Sequence, residues 1–489
     1  MKITPALLCC FGALALLAAE PTPLDSTAVS STHAAYDGNA LLLTGRVALD
    51  HGLGKMMAEE ASLQKQEVGK DFPFSVIALR KDVKLSLKSS AELLCETADL
   101  DFNSLTGVLH AKEEGKVVYS DTFKKKKEVL AFTLAGRRVE LLFTKQLQEG
   151  KNDYDIETIL VKEDVEIDYA QGFHLHADHA LYRKQNSLSS ESKEFQGVIT
   201  AYPKEEGAKC HLIHGSDLID ADTIDLDMVH STLSLLHPQG LLSSSLVKEQ
   251  TEPMRFSADQ LSWNHASGTL ILNGNVSIQE AAIGTINAAK QLELQYKNVK
   301  GKQLLKRLQA QGETLLTYSD PAFSRPHKLL SHGKMEIDRD KLLASLESPE
   351  GASDKQLYYE EEEMGIFADR ALLEYAETGD FLKPISLQLK GNIRLFSHDP
   401  KQPPRCGIAD RLHYSLATRT LILLANPGSK VLFWDEAQGL RMSASEIHIT
   451  YEEGSKERMV KGVGKVQLTL TSEEQHRLKQ LFPHYKVAL

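Results

Sequence analysis

A short signature recurs at intervals near 40 residues or a multiple of it, and a period of that length dictates a stack of small supersecondary units. The signature is an alanine followed by an acidic or small polar residue: Ala58-Glu59, Ala98-Asp99, Ala177-Asp178, Ala221-Asp222, Ala258-Asp259, Ala368-Asp369, Ala409-Asp410 and Ala444-Ser445. Two vacant slots, around Arg137 and Gly333, still read as strand, and Ala288-Ala289 is a looser copy. Counting the alanine as zero, apolar residues stand at −2, +3 and +5, as in Met56/Ala61/Leu63, Phe256/Leu261/Trp263 and Met442/Ile447/Ile449. An uninterrupted strand alternates with period two. The slip of one residue after the acid therefore predicts a bulge or bend that re-aims the chain once in every unit. Ala98 breaks this spacing, and Ala409 has Gly407 at −2.

A second element is a glycine, a polar residue and a β-branched one between two alternating runs: Gly45-Arg46-Val47, Gly274-Asn275-Val276, Gly391-Asn392-Ile393 and Gly464-Lys465-Val466, with Gly312-Glu313-Thr314 looser. Isolated glycine inside a strand pattern marks a tight bend. Turn clusters such as Tyr36-Asp37-Gly38 and Asn103 to Gly107 separate the runs, so each unit holds about four short strands and no crossover helix. Parallel βαβ architecture is excluded and an all-β, antiparallel, elongated stack is expected.

Taken in order, 1–19 reads as a signal peptide: Lys2, an apolar run from Pro5 to Leu17, then small residues, with cleavage near Ala19. The run continues past Cys9, which argues against lipid attachment there. Residues 20–34 form a Pro/Ser/Thr-rich arm, 35–237 a first β-jellyroll half, 238–253 a linker or boundary, 254–471 a second half, and 472–489 a capping helix and tail. Within the second half, 319–363 reads as irregular, with Leu342-Leu343 on a short helix. Ser472 to Gln475 reads as a capping box, and the helix it starts is expected to cover the open edge of the last strand.

The formal net charge of −11 offers no basic surplus for phosphate backbones, so nucleic acid is not an expected partner. Cys95, Cys210 and Cys406 are far apart and lack metal-ligand spacing, leaving room for one bridge at most. His174, His176 and His179 with Asp178 resemble a metal cluster, but a half-exposed strand gives the same alternation. Asp217, Asp220, Asp222, Asp225 and Asp227 lack the glycine spacing of a calcium loop and suit the outward face of two bent strands. Lys124 to Lys127 reads as a solvated turn or edge guard. No Gly-x-Ser-x-Gly, P-loop or paired-carboxylate motif appears, so no enzyme is expected and no cofactor is implied.

Tyr36 to Asp50, followed by Gly54 to Ala61, resembles the core motif of the OstA-like, LptA-type family of lipopolysaccharide-transport proteins. The stretch Met254 to Leu294 resembles it too, and weaker copies lie at Glu163–Tyr182, Ala368–Leu395 and Ala409–Tyr451. That resemblance implies a twisted β-jellyroll with an apolar groove for acyl chains, and sheets that continue into those of a partner. It implies a periplasmic protein that binds lipopolysaccharide or a related amphiphile and moves it toward the outer membrane. Its partners would be LptC/LptD-type proteins or further copies joined through edge strands. The groove candidates are Leu41, Leu43, Val47, Leu49, Leu270, Leu272, Val276 and Ile278. The alternative is an envelope assembly scaffold with a filled interior.

Overall fold

The computed structural model describes residues 28–64, 74–88, 91–125, 128–148, 151–169, 172–184, 197–242, 253–280, 284–299, 302–319, 326–349, 353–361, 364–378, 381–397, 405–451 and 458–482. The signal expected at 1–19, most of the 20–34 arm, Lys126-Lys127 and the 483–489 tail lie outside them.

Among the described residues the chain is all-β apart from one short helix and one 3-10 turn, and 39 strands join in one antiparallel hydrogen-bonded network. Two ladders make up that network. One runs from His33–Tyr36 through Gln260–Asn264, Thr269–Asn273 and Gln291–Val299 to Arg458–Val463. The other runs from Val29–Ser30 through Met254–Ser257, Val276–Glu280 and Gly284–Ala288 to Leu440–Ala444. The chain crosses between them at every bend, so successive hairpin pairs of strands fall alternately into the two sheets, as in an elongated jellyroll. One apolar core, from Leu43 to Ile449, fills the space between the sheets. Among the described residues no helix is long and apolar enough to cross a membrane.

The expected bend is a corner, and the two recurring motifs are its two walls. Gly45 and Arg46 take φ of 79° and 49°, and the pairing skips from Thr44↔Glu60 to Val47↔Ala58, leaving the two opposite Glu59 alone. Gly391 and Asn392 (80° and 46°) likewise face Asp410. Two consecutive left-handed residues reverse the pleat and swing the strand into the other sheet. The acid secures the turn. The Asp259 N–H donates to the Gly274 carbonyl at 2.9 Å, and Asn275 Nδ2 donates to the Asp259 carboxylate at 3.0 Å. Asn392 bonds Asp369 in the same way at 2.8 Å. The slots at Arg137 and Gly333 are also breaks between successive strands.

Several expectations need correction. The corner near Ala98 is at Glu96, which faces the left-handed pair Lys81-Asp82. Cys95 is therefore the unit's zero position, and Leu93, Ala98 and Leu100 occupy −2, +3 and +5, all fully buried. The described residues of 319–363 hold regular strands, His327–Ser331, Lys334–Asp338, Leu343–Glu347 and Leu357–Glu361. Leu342 is a left-handed turn residue, and the helical turn is Ser353–Lys355. Within 238–253, Gln239–Leu242 is a strand paired on both sides, so hydrogen bonding passes through that stretch; 243–252 lie outside the described residues.

The terminal helix, Ser472–Leu481, starts one residue earlier than expected. Thr471 is the N-cap, with its hydroxyl accepting from the Glu474 N–H at 3.2 Å and the Glu474 carboxylate accepting from the Thr471 N–H at 2.8 Å. Thr471 has an extended backbone and its own hydroxyl, which moves Ser472 into the first turn. The helix does not cover a strand edge. Leu478 and Phe482 pack on Cys406, Ile408, Leu432 and Trp434, the outward side chains of two strands that are apolar on both faces.

Candidate functional site

The corner side of the two-sheet wedge is closed by backbone. The opposite flank, the mouth, is closed by side chains, and the groove candidates lie between. Leu43, Val47, Leu49, Leu270, Leu272, Val276 and Ile278 are each at most 2% exposed. Leu41 is half-buried against the same core. Leu270 and Leu272 stand on one ladder, Val276 and Ile278 on the other, with the Gly274-Asn275 corner joining them. All eight belong to or pack against one interior, as alternation predicts for the inner face of a strand. That interior is filled around them, since a void that admits water would expose their side chains; farther along the core an apolar cavity of about 30 Å³ lies among Leu316, Tyr359 and Leu387.

Ring clusters fill the mouth. His51, Phe102 and Tyr154 stack near the start, with His51–Phe102 centroids 4.1 Å apart. Phe173 lies 4.0 Å from His214, and Trp263 and His265 close over them from the other ladder. Further on, Tyr318, His327 and Tyr359 face Tyr375, Pro384 and Leu416, and the small cavity lies among them. His327 and the Tyr359 hydroxyl are 2.7 Å apart. Burial pushes the Tyr375 phenol well above its ordinary range. Sequence reasoning missed these six residues. Their only signal was position: they stand at or near strand ends far from a corner, where an inner-face side chain meets the opposite sheet's rim.

The backbone at the mouth joins neighbours of one ladder. Tyr296 N–H donates to Gly268 at 2.8 Å, Tyr375 to Leu342 at 2.9 Å and Leu416 to Ile385 at 3.1 Å. Near the start, a bond of 3.4 Å from Tyr154 to Gly52 links the two sides. Among the described residues from Met254 onward, side-chain packing is thus what these contacts leave to hold the rims together.

The polar motifs resolve into cross-strand pairs on the outer face. His174 pairs with Asp168, His176 is 3.9 Å from Glu166, and His211 is 2.7 Å from Asp220. His179 stacks on Tyr202. Among the described residues no group of three His, Cys, Asp or Glu side chains is placed to hold a metal. The aspartate run is likewise dispersed. Asp222 is a corner acid held by Lys209 and His237, Asp225 accepts from Thr200, and Asp227 caps the turn at His230. Asp217, expected on the outward face, is buried. The three cysteines are free thiols, each pushed up to about 12 by burial.

No family model matches this chain, and no curated protein matches it in sequence.

Proposed function

We propose that the protein is a periplasmic carrier of lipopolysaccharide or a related amphiphile, whose acyl chains occupy the space between the two ladders on the way to the outer membrane. The reading makes the chain a relative of the OstA-like, LptA-type proteins in architecture and task, with no covalent chemistry. The observation that carries it is the apolar interior running unbroken from Leu43 to Ile449, flanked along 254–451 by a mouth of side chains. Acyl burial supplies the driving force, at about 0.8 kcal/mol per CH2. Because the interior is packed, loading parts the rims at Tyr318, His327, Tyr375 and Leu416 and exchanges protein contacts for acyl contacts.

Mass spectrometry of amphiphiles that co-purify with the exported protein from its native envelope tests this. A lipid A-type species, lost when Leu272 or Val276 becomes Asp while the wild type retains it, supports the carrier. An empty, folded wild type after gentle extraction overturns it.

The filled interior favours one other reading, an envelope scaffold that grows by strand addition. Arg458–Val463 pairs on one side with Glu446–Tyr451, and Met459 is 60% exposed. Sedimentation that reveals concentration-dependent assembly, abolished by Met459→Pro, supports the scaffold. A monomer at every concentration removes it.

A further inference from the structure

A cleft of about 940 Å³ opens on the corner side, bounded by Ser348-Pro349, the corners at Asp369, Gly391-Asn392 and Asp410, and the terminal helix. Its charge differs from that of the rest of an acidic chain. Arg370, Lys390, Arg394 and Arg477 all line it. Arg370 stands directly opposite Lys390, and Lys390 directly opposite Arg411, across three neighbouring strands. Like charges in register repel, so this row costs stability. Glu347 ends the row beyond Arg370 without closing an ion pair with it.

Elsewhere many basic residues close ion pairs, as in Arg80–Asp99, Arg307–Glu336 and Arg405–Asp435. Among the described residues none of the four cleft cations closes such a pair. The two cleft acids are held by neutral donors, and from beyond ion-pair distance Asp369 attracts Arg394 and Asp410 attracts Arg477. Asp369 accepts from Gln356 Nε2 and Asn392 Nδ2, both at 2.8 Å. Asp410 accepts from the Asn426 N–H at 2.6 Å and from the Ser429 hydroxyl. Arg394 is half-buried, and burial lowers its pKa. Its guanidinium lies 4.8 Å over the Phe367 ring, and one Nη donates to Gln356. The Asn392–Asp369–Gln356 chain thus holds a planar fork in place with donors left uncommitted.

We propose that this cleft binds a phosphate-type oxyanion, with the Arg394 fork as its fixed contact and the Lys390 and Arg477 side chains, both exposed and long, as its mobile counter-charges. A rigid guanidinium suits two oxygens of one phosphoryl group, and point charges suit the rest. The same chemistry is offered by a free phosphate and by a phosphomonoester lipid headgroup. The assignment stands whether or not the interior carries acyl chains.

Two arms separate the sources: calorimetric titration of the full chain with inorganic pyrophosphate, and flotation with phosphatidylcholine vesicles with and without phosphatidic acid. The expected result is saturable, salt-sensitive binding in at least one arm, weakened tenfold or more in K390A/R477A. Lys55→Ala, an exposed lysine at the far end, leaves it unchanged. Arg394→Gln gives a comparable loss, and circular dichroism with the thermal midpoint reports that each variant is folded. Binding in the pyrophosphate arm alone identifies a soluble phosphate, and binding in the vesicle arm alone a lipid headgroup. Saturable binding in neither arm overturns the proposal, as does binding that K390A/R477A leaves intact or that Lys55→Ala weakens equally.

Discussion

Gly274 and Gly391 sit at φ of 69° and 80°, and a Cβ on either would drive into the carboxylate of Asp259 or Asp369. Both the backbone preference and the close approach therefore require glycine. Gly274→Ala should cost about 1–3 kcal/mol, whereas Asn275→Gly, which relaxes the neighbouring left-handed residue, should cost less than half as much. Urea midpoints measure the difference, and equal costs would mean that the corner is not strained at 274. Acid sensitivity belongs to this scale too. Hydrogen bonds from Lys209 and His237 hold the Asp222 carboxyl below its ordinary value of 3.8. Its stabilisation is thus fully present above that value and is lost as pH falls through the depressed folded value. Asp222→Asn should lower stability at pH 6, and the loss should shrink as pH falls below 3.8, read by denaturant unfolding along a pH series. The glycines and acids were visible in the sequence because only those residue types mark such turns. Lys81-Asp82 and Glu163-Asp164 form the same left-handed pairs without glycine, and were invisible for that reason.

The strands were legible as elements because each buries one face, and alternation records that directly. The corners gave themselves away by a phase slip, although Cys95-Glu96 was concealed by the Ala98-Asp99 dipeptide beside it. Pairing across the wedge leaves no such trace. The rims at Tyr318, His327 and Tyr375 lie 57 positions apart at most in numbering (318 to 375), and no local period relates them. The terminal helix was readable from its cap and apolar spacing, but its seat was not. Cys406, Ile408, Leu432 and Trp434 make their strands apolar on both faces, which in a sequence resembles any buried strand. Because the helix covers Cys406, its docking has a chemical reporter. Thr471→Ala should destabilise the helix by about 1 kcal/mol and raise the Cys406 labelling rate roughly fivefold. Thiol labelling followed by peptide mapping checks this, and Cys210, buried far from the helix, should not change. An unchanged rate at Cys406 would mean that the helix is not its cover.

At the scale of the molecule, each unit pairs mainly with its neighbours, so stability is closer to a sum over units than to a property of one globule. A charge placed inside, as in Leu272→Asp, should open the units around it and leave the ends closed. Hydrogen exchange read by mass spectrometry should show protection lost around 260–295 and preserved near 40–64 and 405–450. Uniform loss would show instead that the ladders melt as one. The repeat made the overall architecture readable, while the continuity of the ladders came only from strand pairing.

The left-handed corner has a consequence for size. Left-handed pairs recur at 45–46, 81–82, 163–164, 274–275 and 391–392, and each added unit of four strands advances both ladders by two neighbour spacings. With roughly two dozen strands in a ladder at ~4.8 Å each, the contour is on the order of 110 Å. Length is therefore a ruler written in whole units: removing or duplicating one four-strand unit, a hairpin from each ladder, shortens or extends the reach of the molecule without re-solving its packing.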